Sequence, residues 1–260
     1  MDLENVLTQT AISVKSVGKF ILSEYGKIKN HQIEIKSLNS LVTYVDKSAE
    51  TMLVESCSQI LPNAVFITEE ETIEQKSGKL QWIIDPLDGT TNFICGIPIF
   101  SISIALRLEE EIILGIVYEI NGDELFSAIL NKGAYLNGKS IHISDNNHLS
   151  NSLIATGFPY YDFTNLEIYL KTLKYLMQNT RGVRRLGSAA VDLCYTACGR
   201  FDAFFEYSLS PWDVAAGSLI VLEAGGMVTD LKGGKNYLFG KEIGAGNPTI
   251  LNQIIAELNP

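Results

Sequence analysis

The feature that most constrains this chain is the run Asp85-Pro86-Leu87-Asp88-Gly89-Thr90-Thr91-Asn92-Phe93, entered directly from the apolar Trp82-Ile83-Ile84. Gln81 to Ile84 reads as a short buried strand ending at Asp85. Pro86 stiffens the turn that follows, and Gly89 permits close approach of backbone to a ligand. Thr90 and Thr91 then fall at the start of a short helix, where free N–H groups can hold a phosphate. Ligands gather where strands end in glycine-containing turns. Two carboxylates three residues apart can converge on a hard cation such as Mg²⁺, which prefers oxygen ligands. Read alone, the segment has a second, less favoured reading as a capped turn, since Asp and Thr are common there.

The rest of the chain places this turn in a mixed fold. A helix is expected from the N-terminus to about Ile28, with Val6, Ile12, Val17, Phe20 and Ile21 at helical spacing, then a short strand from His31 to Lys36. A second helix is expected from about Thr43 to Ile60, stopped by Leu61-Pro62-Asn63, and a buried strand from Val65 to Thr68. Phe100 to Leu108, Ile112 to Glu119 and Glu124 to Ile129 read as an antiparallel meander broken by Glu109-Glu110-Glu111 and Asn121-Gly122. The second half alternates differently. Strands are expected near Leu153–Thr156, Ala203–Glu206 and Glu242–Ala245, with helices near Leu166–Gln178, Ser188–Cys198 and Trp212–Glu223 and another after Pro248. Helices and strands without strict alternation argue α+β layers, and no linker separates the halves.

Three further acidic segments could join Asp85 and Asp88. Glu69-Glu70-Glu71 follows the strand Val65–Thr68, where a solvated acidic loop would also be ordinary. Asp213, in Pro211-Trp212-Asp213-Val214-Ala215-Ala216-Gly217, is on its own a helix N-terminal acid favoured by the macrodipole. Asp46 is otherwise a polar helix residue.

Composition limits the partners. The 260-residue chain is 46% hydrophobic and 19% charged, a globular mix, with a formal net charge of −10. So acidic a surface repels phosphate backbones and disfavours nucleic acid. The first twenty residues do not read as a signal peptide, and no stretch approaches the roughly 18 apolar residues that would span a bilayer. Four cysteines, Cys57, Cys95, Cys194 and Cys198, suggest no disulfide framework in a chain this long, so they are read as reduced and the protein as cytoplasmic. Cys194 and Cys198, four apart on one helix, read as small buried hydrophobes rather than half of a metal site.

Taken together, Trp82 to Phe93 with its preceding acidic pair, and Trp212 to Gly226 with Glu223-Ala224-Gly225-Gly226, resemble the inositol monophosphatase family. The resemblance covers most of the chain and keeps the order of the family's motifs. It implies an α-β-α-β-α layered α/β fold over residues 1–260, with a metal-binding half to about residue 148 and a substrate-side half beyond, usually assembled as a homodimer. It implies a hydrolase that releases phosphate from a small phosphorylated cyclitol or sugar, myo-inositol 1-phosphate first among them, with two or three Mg²⁺ as cofactor. By the same resemblance Glu69, Asp85, the Leu87 carbonyl, Asp88 and Asp213 would bind the metal. Asp46 and Thr90 would orient the attacking water, with Glu69 counted among the catalytic acids. The Gly89 and Thr90 amides, beside Asp88, would face the phosphate. Arg184, Ser188, Ala189 and Glu206 would face the sugar or cyclitol. Arg184 alone is as readily a surface cation, and Glu206 an ordinary acid at a strand end.

The chain departs from the family at Thr68, where a smaller residue usually precedes the acidic pair. Glu71 makes the register ambiguous, leaving Glu70 as a reserve ligand. The loop from Glu71 to Lys79 looks short, as though to open the pocket. Among rival readings, a haloacid-dehalogenase phosphatase needs its nucleophilic Asp two residues before the acid Asp, whereas Asp85 and Asp88 are three apart. A 3′-phosphoadenosine-5′-phosphate phosphatase usually carries Thr-Lys-Glu-Phe where Thr90-Thr91-Asn92-Phe93 stands. Fructose-1,6-bisphosphatase activity is harder to set aside. A non-enzymatic Mg²⁺- or phosphate-binding regulator is opposed by the intact acids. None of the three histidines, His31, His142 and His148, lies in a motif, consistent with attack by water rather than by a protein nucleophile.

Overall fold

A computed structural model describes residues 1–37, 40–160 and 162–259. The chain runs α1 (Leu3–Glu24), β1 (Ile33–Ser37), β2 (Ser40–Thr43), α2 (Tyr44–Ile60), β3 (Val65–Thr68), β4 (Leu80–Asp88) and α3 (Thr90–Cys95). The meander follows as β5 (Ser101–Leu108), β6 (Glu111–Glu119), β7 (Glu124–Ile129), β8 (Ala134–Leu136) and β9 (Lys139–Ser140). The second half comprises β10 (Leu153–Thr156), α4 (Leu166–Asn179), β11 (Gly182–Arg184), α5 (Ala189–Ala197), β12 (Ala203–Tyr207), α6 (Pro211–Glu223), β13 (Met227–Thr229), β14 (Glu242–Gly246) and α7 (Pro248–Leu258).

Among the described residues the strands form three sheets. β1 and β2 make a hairpin, β3 to β9 pair in chain order, and the third sheet has the order β11-β10-β12-β14-β13. In the seven-stranded sheet only β3 and β4 run parallel, and the rest is the expected antiparallel meander. Helices α1 and α2 cover one face of that sheet. Helices α5 and α6 fill the space between it and the five-stranded sheet, and α4 and α7 cover the far face of the latter. The result is the α-β-α-β-α layering that the resemblance implied.

Strand alternation divides the core accordingly. On β4, Trp82 and Ile84 join the cluster beneath α1 and α2, while Ile83 faces α5 and α6. On β6, Leu114 and Ile116 take the first side and Val117 the second. Gly115 lies on the α6 side, where a Cβ would come within 2.8 Å of the Ala216 carbonyl, so its lack of a side chain lets α6 sit against the sheet. A third cluster, including Ile154, Tyr169, Phe205 and Ile254, seals the five-stranded sheet beneath α4 and α7.

Three expectations shift at the level of elements. α1 stops at Glu24, ahead of Gly26 in the left-handed region (φ 75°), and its buried stripe is Val6, Thr10, Val14, Val17 and Ile21, while Ile12 is exposed. The strand expected over His31–Lys36 begins at Ile33, after a single 3₁₀ turn. β4 does not end at Asp85 but continues to Asp88. The turn expected over Pro86–Asn92 is therefore a strand irregularity followed by a left-handed Gly89 (φ 96°) that starts α3.

Candidate active site

The irregularity in β4 is what brings the two motif acids together. On a regular strand, residues three apart point to opposite faces. Asp85 pairs with Ser103 and Asp88 with Ser101, so β4 spends three residues where β5 spends two. The extra residue, accommodated beside Pro86, acts as a bulge and turns Asp88 to the side of Asp85. Carboxylate oxygens of Asp85, Asp88 and Asp213 consequently lie within 4.8 Å of one another. No other group of three metal-ligating side chains occurs among the described residues.

Each acid reaches the cluster from a different element and is fixed by a different device. Asp85 Oδ1 accepts from the Leu87 amide (2.9 Å). Asp88 Oδ2 accepts from Ser188 Oγ (2.6 Å) and the Ala190 amide (2.8 Å), at the N-terminus of α5, where a negative charge is favoured. Asp213 Oδ2 accepts from the Ser210 amide (2.6 Å) at the start of α6. Desolvation raises all three carboxyls above the usual range. Asp85 is raised further by the charges of Glu69, Asp88 and Asp213, and Asp213 by that of Asp88. Oxygen-only donors, crowded and mutually repelling, fit a hard cation such as Mg²⁺.

Asp46 stands at the first turn of α2, where Oδ2 accepts from the Thr43 amide (2.8 Å) and Thr43 Oγ1 (2.6 Å). Its other oxygen, Oδ1, is 3.0 Å from Thr90 Oγ1, which is also 3.0 Å from the Leu87 carbonyl. The single Thr90 hydroxyl hydrogen can reach either. Burial raises the Asp46 carboxyl, against the pull of these donors.

A cavity of about 410 Å³ opens beside the cluster. Glu69, Asp88, Gly89, Thr90, Ser188, Ala189, Glu206 and Asp213 all line it. Glu69 lines it where Glu70 does not, and none of residues 71–79 reaches it, so the short loop does not shape its wall. Arg184 is the exception among the residues expected to face the substrate. It is exposed, with Nη1 donating to its neighbour's carbonyl at Val183 (3.1 Å), while Arg185 lines the cavity. Consecutive residues leaving a strand point to opposite sides, and β11 ends at Arg184. Arg185 is held over the rings of Phe158 and Tyr160, at 5.8 and 5.6 Å from their centroids.

Several residues that organise the site carried no signal of their own. Glu50 is fully buried and lies one turn after Asp46 on the same face of α2. Its carboxylate accepts from Thr68 Oγ1 (2.9 Å), the Glu70 amide (2.7 Å), the Thr72 amide (2.8 Å) and Thr72 Oγ1 (2.7 Å). Thr68, the departure from the usual small residue, is thus a partner of Glu50. The i, i+4 spacing of Asp46 and Glu50 was the available clue. Asn92 donates to the Ile99 and Leu186 carbonyls (both 2.8 Å), tying α3 to the segment before α5. Asp192 on α5 and Ser208 after β12 also line the cavity. All four cysteines are free thiols, with Cys194 in the core and Cys198 at its edge.

Known proteins share the family and the fold of this chain. The sequence profile described as the inositol monophosphatase family matches residues 2–259. The chain is 40% identical to the Nus factor SuhB of Escherichia coli (strain K12) over 247 residues, 95% of this chain and 92% of that protein. It is 40% identical to the inositol-1-monophosphatase of Rhizobium meliloti (strain 1021) over 256 residues, 98% of this chain and 93% of that one. The crystal structure of the extragenic suppressor protein SuhB from Bartonella henselae superposes with a TM-score of 0.93 at 38% identity, covering 98% of both chains. The Thermotoga maritima IMPase gives 0.88 at 33% identity, covering 100% of this chain and 97% of that one. No described helix is long and apolar enough to cross a membrane. The chain belongs to the inositol monophosphatase family of phosphatases.

Proposed function

We propose that this chain hydrolyses phosphate monoesters in a Mg²⁺-dependent reaction, with myo-inositol 1-phosphate as the leading substrate. The observation that carries the reading is the convergence of Asp85, Asp88 and Asp213 to within 4.8 Å at the edge of the cavity, with the Thr90–Asp46 pair beside them. Asp85, Asp88 and Asp213, with Glu69 and the Leu87 carbonyl, would hold the metal. Bound Mg²⁺ supplies charge neutralisation for the phosphate dianion and lowers the pKa of nearby water. The chain's own residues do the rest. Thr90 Oγ1, fixed between Asp46 and the Leu87 carbonyl, orients the attacking water and relays its proton toward Asp46 Oδ1. Gly89, with no side chain and a left-handed backbone, lets its own and the Thr90 amide approach the phosphate. Ser188 holds Asp88 in place rather than reaching past it. Glu206 and Arg185 face the leaving group. Most of the acceleration then comes from positioning and electrostatics.

Phosphate release over a panel of inositol, sugar and nucleotide phosphates, with Mg²⁺ and with EDTA, tests this reading. Undiminished turnover in EDTA, or a burst of phosphoaspartate, would refute it. The identity to a Nus factor supports a second reading, in which the chain acts by binding other macromolecules. Absence of phosphate release from the whole panel, with Mg²⁺ present, would favour that reading.

A further inference from the structure

The run that opens at Asp85 ends in a polar residue that none of the proposed steps uses. Asn92 follows Thr90 and Thr91 on α3 and is only 5% exposed. Its side-chain nitrogen donates to the Ile99 carbonyl and to the Leu186 carbonyl, both at 2.8 Å. A side-chain amide has two N–H donors on that nitrogen, and here each goes to a different side of one joint. Ile99 leads into β5 of the seven-stranded sheet. Leu186 lies between β11 and α5, 94 residues further along the chain than Asn92.

The joint is closed backbone to backbone. Gly89 and Gly187 face it, both left-handed, with φ 96° and 94°. A Cβ on Gly187 would come within 3.0 Å of both Nδ2 and Oδ1 of Asn92. One on Gly89 would lie 3.0 Å from the Ile99 carbonyl and 3.3 Å from the Gly187 carbonyl. On its other side α3 is anchored by Phe93, which is fully buried and edge-on to Phe100 with ring centroids 5.3 Å apart. Asn92 is therefore held by the sheet, and it in turn holds the segment before α5.

That segment leads into the grip on Asp88. Ser188 Oγ and the Ala190 amide both donate to Asp88 Oδ2, at 2.6 and 2.8 Å. An ionised carboxylate only accepts, so the single hydroxyl hydrogen of Ser188 goes to Asp88. Ser101 Oγ, 3.3 Å from Ser188 Oγ, is then the donor of that pair. Ser101 opens β5, two residues after Ile99. The row Ser101 to Ser188 to Asp88 and the Asn92 amide thus cross the same joint, and bonds in such a row strengthen one another.

We propose that Asn92 is a positioning residue for the metal site: by pinning Leu186 to the sheet it sets where α5 begins, and so how Ser188 and the Ala190 amide hold the Asp88 carboxylate. Asn92 does not line the cavity, so it acts through these donors and not on the substrate. This rests on the Mg²⁺-dependent reading above and adds a residue that controls metal affinity from behind the site.

Asn92→Ala deletes both donors. It should raise the Mg²⁺ dissociation constant, read by isothermal titration well below the melting temperature, about tenfold or more, as for other groups that orient metal ligands. Ser188→Ala should raise it as well. Because Asn92 acts through Ser188, the loss in the double variant should fall short of the product of the two single losses by about threefold or more. Independent sites would multiply to within about twofold. A residue that served the fold alone would lower the melting temperature and leave the Mg²⁺ constant where it was. Ser101→Ala removes only the hydroxyl behind Ser188, guards against a misfolded Asn92→Ala, and should raise the constant about threefold. An Asn92→Ala chain that binds Mg²⁺ as the parent does, or a double variant whose loss equals the product, overturns the proposal. So does an unchanged constant in Ser101→Ala where Asn92→Ala does not fold. A parent chain that binds no Mg²⁺ overturns the metal-dependent reading itself, and this proposal with it.

Discussion

Helix α2 and the pair α5–α6 both carry acids around one site, but they treat those acids in opposite ways. On α2, Asp46 lies within hydrogen-bond reach of three donors and Glu50 accepts four bonds, with distances from 2.6 to 3.0 Å. On α5 and α6, Asp192 has an oxygen with no donor, and the one donor held by Asp213 is the Ser210 amide. Satisfied carboxylates fix backbone: Glu50 pins the acidic loop after β3, and Asp46 closes the first turn of α2. Under-satisfied ones hold electrostatic cost that only a ligand removes. The saturation of a buried acid thus separates what builds the site from what waits to be filled.

The largest expected effect tests the unsaturated side. Asp213→Asn removes one charge from the cluster and keeps its shape. It should abolish almost all phosphate release, yet melt without metal at or above the parent temperature, because Asp213 is repelled by Asp88. Mg²⁺ binds the folded state selectively and should raise the parent's melting temperature more than the variant's. If Asp213 were only a helix N-terminal acid, the variant would melt lower by a modest increment, about 0.3–1 kcal/mol, and keep its response to Mg²⁺. Scanning fluorimetry over a Mg²⁺ series, beside the phosphate assay, separates the two.

Next come the saturated acids on α2. Thr90→Ala and Asp46→Asn should lower kcat by ~10²-fold or more while weakening Mg²⁺ much less, since the pair serves the water. Near-parental kcat in either variant would remove the relay. Glu50→Gln places an amide against the Glu70 or Thr72 donors and should loosen the loop that carries Glu69. The expected result is a Mg²⁺ half-saturation raised about 10–100-fold, as for other groups that orient metal ligands, with kcat at saturating metal less affected. A variant that melts lower but keeps the parent's Mg²⁺ half-saturation and Mg²⁺-induced stabilisation would make Glu50 a structural residue only.

Much of the fold was legible because its elements carry their own period and stops. The meander from Ser101 to Ile129, with its turn residues, and helices such as α2 and α6 lie within a residue or two of where the sequence puts them. The short strands β8, β9, β11 and β13 were not legible. Each is two or three residues long and is defined by its neighbours rather than by a pattern of its own. The acids at Asp85, Asp88 and Asp213 stood out as motifs, but the means of their meeting did not. A bulge in β4 shows only in its register against β5. Arg185 rather than Arg184 is decided by which side the chain faces on leaving β11. Asp192 looks like any polar residue on a helix until α5 is sandwiched between two sheets.

The smallest effect concerns Glu206, which lines the cavity as Asp192 does and is measurable without substrate or metal. Desolvation and the charge of Asp88 push its carboxyl up to about 8 from an ordinary 4.5, with Arg185 pulling it down. Its neighbours Asp192 on α5 and Tyr169 on α4 are raised as well. Between pH 4.5 and about 8 the folded chain therefore keeps a proton that the unfolded chain has released. The native state binds more protons, so stability falls as pH rises across that window and levels off above it. One such group contributes a slope of up to about 1.4 kcal/mol per pH unit. In EDTA, the melting temperature of the parent chain should decline from pH 5 to 8. Glu206→Gln cannot titrate, so its decline should be shallower by one proton's worth, with Asp85, Asp192 and Asp213 keeping part of the slope. Salt-bridged surface acids such as Glu124, whose carboxyl is lowered by Arg200, act in the opposite direction but at lower pH, outside this window. Parallel curves for the two proteins would mean that Glu206 is already ionised at pH 5 and that the wall is wetter than its packing against Gly157 implies.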